Sequence, residues 1–380
     1  MLDYETLRVI WWVLVGILLI GFSITDGFDL GVGALLTLAG KTDNDRRIMI
    51  NTIGPHWDGN QVWFITAGGA IFAAFPVIYA TAFSGFYLAL GLTLVALWMR
   101  PIGFDYRSKL TNPTWRKAWD WALFAGGIVP SLIFGVAFGN LLLGVPFEFD
   151  SMLKATYTGS FFALLNPFAV LAGLVSVAML LLHGSVWLQL KTDGVVRARA
   201  TGLSLALGMI TATLFILAGL WVTFGIDGYQ ITSLVNGSAP SDPTLKTVAT
   251  ETGAWINNYR QWPLFTLAPL IGITAPILTA ILSLRGRSGW AFVTSSLTLA
   301  GIITTAGLSM FPFMMPSSSN PSMSLTLWDA SSSHLTLNVM FYVALIFVPI
   351  VLGYTAWSFW VMRGRVLEQD VVSGQSHTIY

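Results

Sequence analysis

"VIWWVLVGILLIGFSITDGFDLGVG" (Val9–Gly33) carries no charge from Val9 to Thr25, then places two aspartates, Asp26 and Asp29, three residues apart. A helix crossing the bilayer core needs roughly 20 mostly apolar residues, with about 17 as the lower limit. The stretch therefore predicts a membrane-spanning helix near 9–25, with the aspartates just beyond its end. At spacing i, i+3 the two carboxylates share one helix face. They either cap the helix at the membrane surface or handle protons there. The following "GVGALL" (Gly31–Leu36) matches only part of a dinucleotide-binding fingerprint. It lacks the third glycine and a preceding strand, and glycine is frequent in membrane helices anyway.

The rest of the chain has the same character. Its 380 residues are 55% hydrophobic and 10% charged, with a mean hydropathy of +0.71. Soluble domains carry about 25% charged residues, so this surface must face lipid, and the fold class is all-α, a polytopic membrane protein. A net charge of +1 without a dense basic run argues against nucleic-acid partners. With no cysteine there is no disulfide, thiolate-held zinc or iron–sulfur cluster. No Walker-type loop is present, which excludes an ATP-driven pump within the chain. The start, "MLDYETLR", is acidic and no small-residue cleavage site follows, so the first span is expected to be retained.

Nine spans are expected within a single membrane domain over 1–380, near 9–25, 61–82, 83–99, 118–143, 161–188, 202–225, 262–284, 289–312 and 336–361. Alternating them places all but four of the 19 basic residues on the side opposite the amino terminus, leaving Arg8, Lys154, Lys246 and Arg260 behind. By the positive-inside rule the amino terminus is outside and the carboxyl terminus cytoplasmic. Two longer outer stretches, Asp227–Gln261 and Pro316–His334, are expected to be surface loops with short helices. Trp11, Trp12 and Trp360 are expected to be interfacial anchors.

Only four histidines exist. His377 lies in the tail, His334 at a loop edge, and His183 inside a span without a second histidine at helical spacing. His183 is expected to be a hydrogen-bonded core residue, and no metal site is expected. The chemistry-bearing set gathers on the cytoplasmic side. Asp58 begins the second span among His56, Trp57, Asn60, Gln61 and Trp63. Arg100 closes the third, followed by Asp105, Tyr106 and Arg107. Asp120 stands about a turn inside the fourth. A charge at membrane depth usually finds a partner, so Asp29 or Asp120 is expected to pair with Arg100, and Asp26 to be a surface cap. For Asp58, pairing and proton relay stand equally open.

"GFDLGVG" (Gly27–Gly33), "HWDGNQVWFITAGGAIFAAFP" (His56–Pro76), "RPIGFDYR" (Arg100–Arg107), "GVAFGNLLLGVPF" (Gly135–Phe147) and "PFMMPSSSNPSMSLTLWDASSSHLTL" (Pro312–Leu337) closely resemble subunit II of the bacterial cytochrome bd quinol oxidases. The likeness runs in order from the amino terminus to about residue 365. It implies nine helices arranged as two four-helix bundles plus one extra helix, in the bacterial inner membrane. It implies a heme-bearing subunit I that holds two b-type hemes and one d-type heme, with small single-helix accessory subunits. The complex would oxidise quinol outside and reduce oxygen with cytoplasmic protons, building a proton gradient without pumping. This chain would hold no heme ligands and no catalytic residue, and would take a structural quinone. Beside that resemblance, Asp58, His56, Asn60 and Trp63 are the expected proton-access residues. Asp29, Arg100, Asp120 and Asp105 are the expected buried ion network that aids assembly. The competing readings are a stand-alone proton-coupled secondary transporter, which broken helices and membrane-depth carboxylates would suit, and a purely structural scaffold subunit.

Overall fold

The computed structural model describes residues 2–373; His377 lies outside them. In chain order the helices are α1 (Tyr4–Ala39), α2 (Asp43–Ile53), α3 (Trp57–Ala74), α4 (Pro76–Gly85), α5 (Tyr87–Tyr106), α6 (Pro113–Leu143), α7 (Pro167–Lys191), α8 (Gly194–Phe224), α9 (Asn257–Gln261), α10 (Leu267–Leu284), α11 (Ser288–Met310), α12 (His334–Val361) and α13 (Glu368–Ser373). Among the described residues 8 stretches are long and apolar enough to cross a membrane: α1, α5, α6, α7, α8, α10, α11 and α12, some with an adjoining short turn. The protein is an all-α polytopic membrane protein.

Several boundaries shift, α8 for example beginning at Gly194 rather than near 202, and two of the differences have clear local reasons. First, α1 does not end near Thr25 but continues through both aspartates to Ala39, 36 residues in all. No proline interrupts it, and each of its glycines keeps helical backbone. Second, the break expected between residues 82 and 83 falls at Phe75 and Phe86 instead. Pro76 lacks an amide hydrogen and pushes the preceding residue out of helical geometry. Phe75 accordingly has φ −134 and ψ 64, splitting this passage into α3 of 18 residues and α4 of 10.

Helix α1 packs against α3, α6, α7 and α11; α5 lies on α6, α8 on α7 and α10, and α10 on α11, while α12 rests on α1 and α3. Glycine sets the closest approaches. A Cβ added at Gly31 would stand 2.1 Å from the Leu180 carbonyl oxygen, and one at Gly127 would stand 2.4 Å from the Leu30 carbonyl oxygen. Thus α1 meets α7 and α6 backbone to backbone, as membrane helices do where small residues line the contact.

The helix bundle has two polar ends. At one end the buried Arg8 guanidinium donates to Ser331 Oγ at 2.7 Å, Gly237 O at 2.6 Å, Ala239 O at 3.0 Å and Ser241 Oγ at 2.9 Å. His334 Nε2 bonds Leu2 O at 2.8 Å, so the start of the chain and the start of α12 lie together. At the other end Arg199 of α8 joins Asp45 of α2 at 2.7 Å, and Lys191 of α7 reaches the carbonyls of Met362 and Gly364 beyond α12.

The connections at the Arg8 end hold three antiparallel strand pairs: β1 (Phe147–Phe149) with β2 (Ala155–Tyr157), β3 (Asp227–Ile231) with β4 (Val248–Thr252), and β5 (Phe313–Met315) with β6 (Leu325–Thr326). The first expected loop thus contains a five-residue ladder as well as short helices. One strand turns Gly228 and Tyr229 inward, while the other is largely exposed. Tyr229 and Trp255 stack at 5.6 Å, and Trp255 Nε1 donates to Leu142 O at 2.9 Å, which seats this hairpin on α6.

Gly31→Ala should destabilise the protein by about 1–3 kcal/mol, because carbonyl backbone cannot yield as a flexible side chain does. Gly68→Ala, with nothing within 4 Å of the new methyl, should be neutral. Thermal midpoints of the purified membrane complex compare the two.

Candidate functional site

Because α1 continues past Thr25, Asp26 and Asp29 stand mid-helix, with α3 packed beside them and the Arg100 side chain reaching over from α5. Arg100 of α5 donates to Asp26 from both terminal nitrogens, Nη1 to Oδ2 at 2.9 Å and Nη2 to Oδ1 at 2.7 Å. Asp29 lies one turn on. Its Oδ2 is 3.8 Å from Arg100 Nη2 and accepts a 2.8 Å hydrogen bond from Asn60 Nδ2 of α3. All four side chains are buried. Asp29 Oδ1 and Arg100 Nε have no partner. The expectation for Asp26 as a surface cap is therefore corrected. It is the fork-to-fork partner of Arg100, the strong geometry for a guanidinium and a carboxylate, and Asp29 is the looser neighbour.

Asp120 does not join this cluster. Its Oδ1 accepts from Arg107 Nε and its Oδ2 from Arg46 Nη1, each at 2.6 Å. Arg107 is fully buried and also meets Asp43 of α2 at 2.9 Å, while Asp43 binds Arg116 through its other oxygen. The expected single network is thus two. Arg100 in α5 and Arg107, which follows directly after the end of α5, are seven residues apart, about two turns, so they project from the same side at two depths. That spacing was the signal in the sequence for a second cluster, and Arg46, Asp43, Arg107 and Arg116 were the residues missed. Asp105 is exposed and enters none of the ion pairs among the described residues.

The four residues expected to give protons access all lie at the start of α3, and they diverge. Asp58 is exposed in its first turn. Only Asn60 reaches the inner carboxylates. Trp63 covers the backbone of α1 at Gly21. His56 is buried and stacks on Phe359 at 4.7 Å, with Trp187 edge-on at 5.8 Å. Burial, helped by the positive Lys191, pushes the His56 imidazole down to about 4, so the ring is neutral at physiological pH.

His183 is fully buried, with Nε2 2.9 Å from Ile24 O and Nδ1 2.8 Å from Ser295 Oγ. A carbonyl can only accept, so Nε2 carries the proton, and Nδ1 faces the Ser295 hydroxyl, whose single hydrogen is shared with the Phe292 carbonyl at 2.9 Å. The ring stacks on Phe292 at 4.8 Å, and both nitrogens are engaged within the protein. These residues do not fit an axial heme ligand. No group of three His, Cys, Asp or Glu side chains suited to a metal ion occurs among the described residues. Between α1, α3, α6, α7, α8, α10 and α11 lies a cavity of about 560 Å³. Phe22, Phe64, Phe134 and Phe215 line it, with Ser176 and Tyr259 as its polar accents.

Removing one partner of a buried ion pair costs about 3–5 kcal/mol. Asp26→Asn should therefore lower the thermal midpoint of the complex clearly more than Asp29→Asn, whose carboxylate has one neutral hydrogen bond and a 3.8 Å ionic contact. His56 gives a separate expectation. Its folded value near 4 lies below the ordinary 6.5, so the unfolded chain takes up the proton first and stability falls as pH drops from about 6.5 to 4. His56→Phe keeps the stacking surface and should flatten that part of the stability–pH curve.

Comparison with known proteins places this geometry. Residues 7–362 match the family model described as cytochrome bd terminal oxidase subunit II. A "Probable cytochrome oxidase subunit 2" of Haemophilus influenzae is 56% identical over 100% of both chains. The "Cytochrome bd-I ubiquinol oxidase subunit 2" of Escherichia coli is 54% identical, again over 100% of both. The "Cytochrome bd ubiquinol oxidase subunit 2" of Bacillus subtilis is 33% identical, over 96% of this chain and 98% of that one. Among solved structures, a chain of the bd oxidase from Geobacillus thermodenitrificans superposes with a TM-score of 0.69 at 16% identity, covering 94% of this chain and 97% of that one, a likeness of fold alone. The chain belongs to the cytochrome bd terminal oxidase subunit II family and is a multi-pass protein of the bacterial inner membrane.

Proposed function

We propose that the chain pairs with a heme-bearing subunit I in a quinol:oxygen oxidoreductase, supports its assembly, and gives cytoplasmic protons access to the partner's heme d. Quinol would be oxidised outside and oxygen reduced to water with protons from inside, so that the two half-reactions together build a proton gradient. The hemes, two of b type and one of d type, belong to the partner in this reading and supply the oxygen chemistry. Small single-helix subunits complete the complex.

The reading includes nine crossings, as two four-helix bundles plus α12, with the amino terminus periplasmic and the carboxyl terminus cytoplasmic. Two observations support it. The chain start and the start of α12 share one end, through His334 and Leu2, while the end of α12 meets Lys191 at the other. An odd number of crossings satisfies both contacts. The basic residues crowd at the α2 end, as the positive-inside rule requires of a cytoplasmic face. Here α3 and α4 together make the additional crossing, broken at Phe75.

The single observation that carries proton access is the Asn60–Asp29 hydrogen bond at 2.8 Å. It links the first turn of α3, where Asp58 is exposed, to a buried carboxylate with one free oxygen. Two carboxylates share one guanidinium in this cluster, so it is electroneutral when it carries one proton. Asp58 would collect the proton at the surface and Asp29 would hold it inside. Asp26–Arg100 and the Asp120–Arg107 network would hold the helices in place, which is the assembly role. The cavity between α1, α6 and α8 is where we assign the structural quinone, since its apolar, phenylalanine-lined walls suit an isoprenoid chain.

Asp58→Asn tests this in the intact complex. The expected result is a loss of oxidase turnover, roughly 10-fold or more as for removal of a positioned proton-transfer group, with the heme spectrum unchanged. Loss of the hemes together with turnover indicates the scaffold role alone. Unchanged turnover with hemes intact overturns the proton route, and a purified chain without any heme-bearing partner favours the transporter reading.

A further inference from the structure

At the α2 end, outside both the proton route and the apolar cavity, a second pocket of about 430 Å³ opens between α1, α2 and the start of α6. Its walls include Asp43, Arg46, Arg116, Lys117, Asp120 and Trp121. Buried Arg107 joins the same ion network, since it binds both Asp43 and Asp120. Four cations thus stand against two carboxylates, which leaves a surplus of two positive charges at the pocket.

The donors are not exhausted by the internal pairs. Arg46 spends Nη1 on Asp120 and Nε on Gly40 O. Arg116 spends Nη1 on Asp43 and Nε on Leu110 O. No hydrogen bond among the described residues uses Nη2 of either. Lys117 is exposed and enters none of the ion pairs among the described residues. Arg107 Nη1 is buried and has no hydrogen-bond partner. The two carboxylates hold the arginines in fixed positions, which pre-orders the remaining N–H groups for an incoming anion.

The pocket also has an apolar margin. Trp121 is 54% exposed and meets Phe124, almost a turn further into the membrane, edge-on at 5.3 Å. A basic pocket beside an interfacial tryptophan, at the end of membrane-spanning helices, matches a phosphate group that carries acyl chains. We infer that this pocket binds the headgroup phosphate of an anionic glycerophospholipid, with Arg46, Arg116 and Lys117 on the phosphate and an acyl chain along Trp121 and Phe124. The ion network between α2, α5 and α6 is then completed by a lipid rather than by protein alone. This site is independent of the proton route.

The whole complex, stripped of lipid in detergent, is titrated with phosphatidylglycerol, phosphatidylcholine or inorganic phosphate. Thermal midpoint and native mass spectrometry are both read. Phosphatidylglycerol should raise the midpoint and appear as bound lipid, and the other two should not. Lys117→Gln removes one positive charge without breaking an internal pair, and should weaken phosphatidylglycerol about fivefold, as expected for one interfacial cation worth about 1 kcal/mol. Equal stabilisation by phosphatidylcholine would mean that only the acyl groove binds. Equal stabilisation by inorganic phosphate would mean a free-anion site. Either result, or an unchanged affinity in Lys117→Gln, overturns the inference.

Discussion

Contact between bare backbones holds α1 in the middle of this protein. Gly31 meets the Leu180–Gly184 turn of α7 on one side, and Gly127 of α6 meets the Leu30 turn of α1 on the other. Lipid offers no hydrophobic drive for helix association, so close packing of small residues carries it. With α1 clamped at this level, its preceding turn can face only protein. Asp26 and Asp29 are consequently out of water, and each needs a partner from α5 or α3. The glycines and the aspartates of "GFDLGVG" are therefore one device, in which the first set the depth of burial and the second answer the charge problem that burial creates.

What could be read from the chain follows from which forces act locally. Apolar runs and charge bias are local or summed quantities, so the membrane class and most helices emerged from them directly. The length of α1 did not, because the rule that a charge ends a span holds only for a helix facing lipid. Asp26 is tolerated inside because Arg100, 74 positions away, is forked onto it. The same limit explains why one expected network is two. Pairing between Arg100 and Asp120 is reasonable by depth, and only the azimuth of α6 around α5 hands Asp120 to Arg107 instead. The hairpin β3–β4 was hidden for another reason, since what seats it is the contact of Tyr229 and Trp255 with the end of α6, far away in sequence.

Histidine shows how a residue type can mislead about chemistry. His183 lies in the helix core with both nitrogens engaged, and its stacking on Phe292 makes it a packing element with two polar pins. His56 stands among residues expected to move protons, yet its environment is a stack of aromatic rings that keeps it neutral. The polar group of that stretch that reaches the buried carboxylates is Asn60, a residue with no titration of its own, which ties Asp29 to the first turn of α3.

Arg8 at the opposite end has its own implication. It sits in the second turn of the first helix, yet its acceptors are Gly237, Ala239, Ser241 and Ser331. During synthesis those partners do not exist until most of the chain has left the ribosome. Arg8 must therefore wait in the aqueous layer at its own end of the bundle while the intervening helices are inserted, and its site closes only when the segment leading into α12 arrives. The first and last membrane helices are latched by one late event, so a chain truncated before Ser331 would leave a charged, unlatched first helix for quality control to recognise.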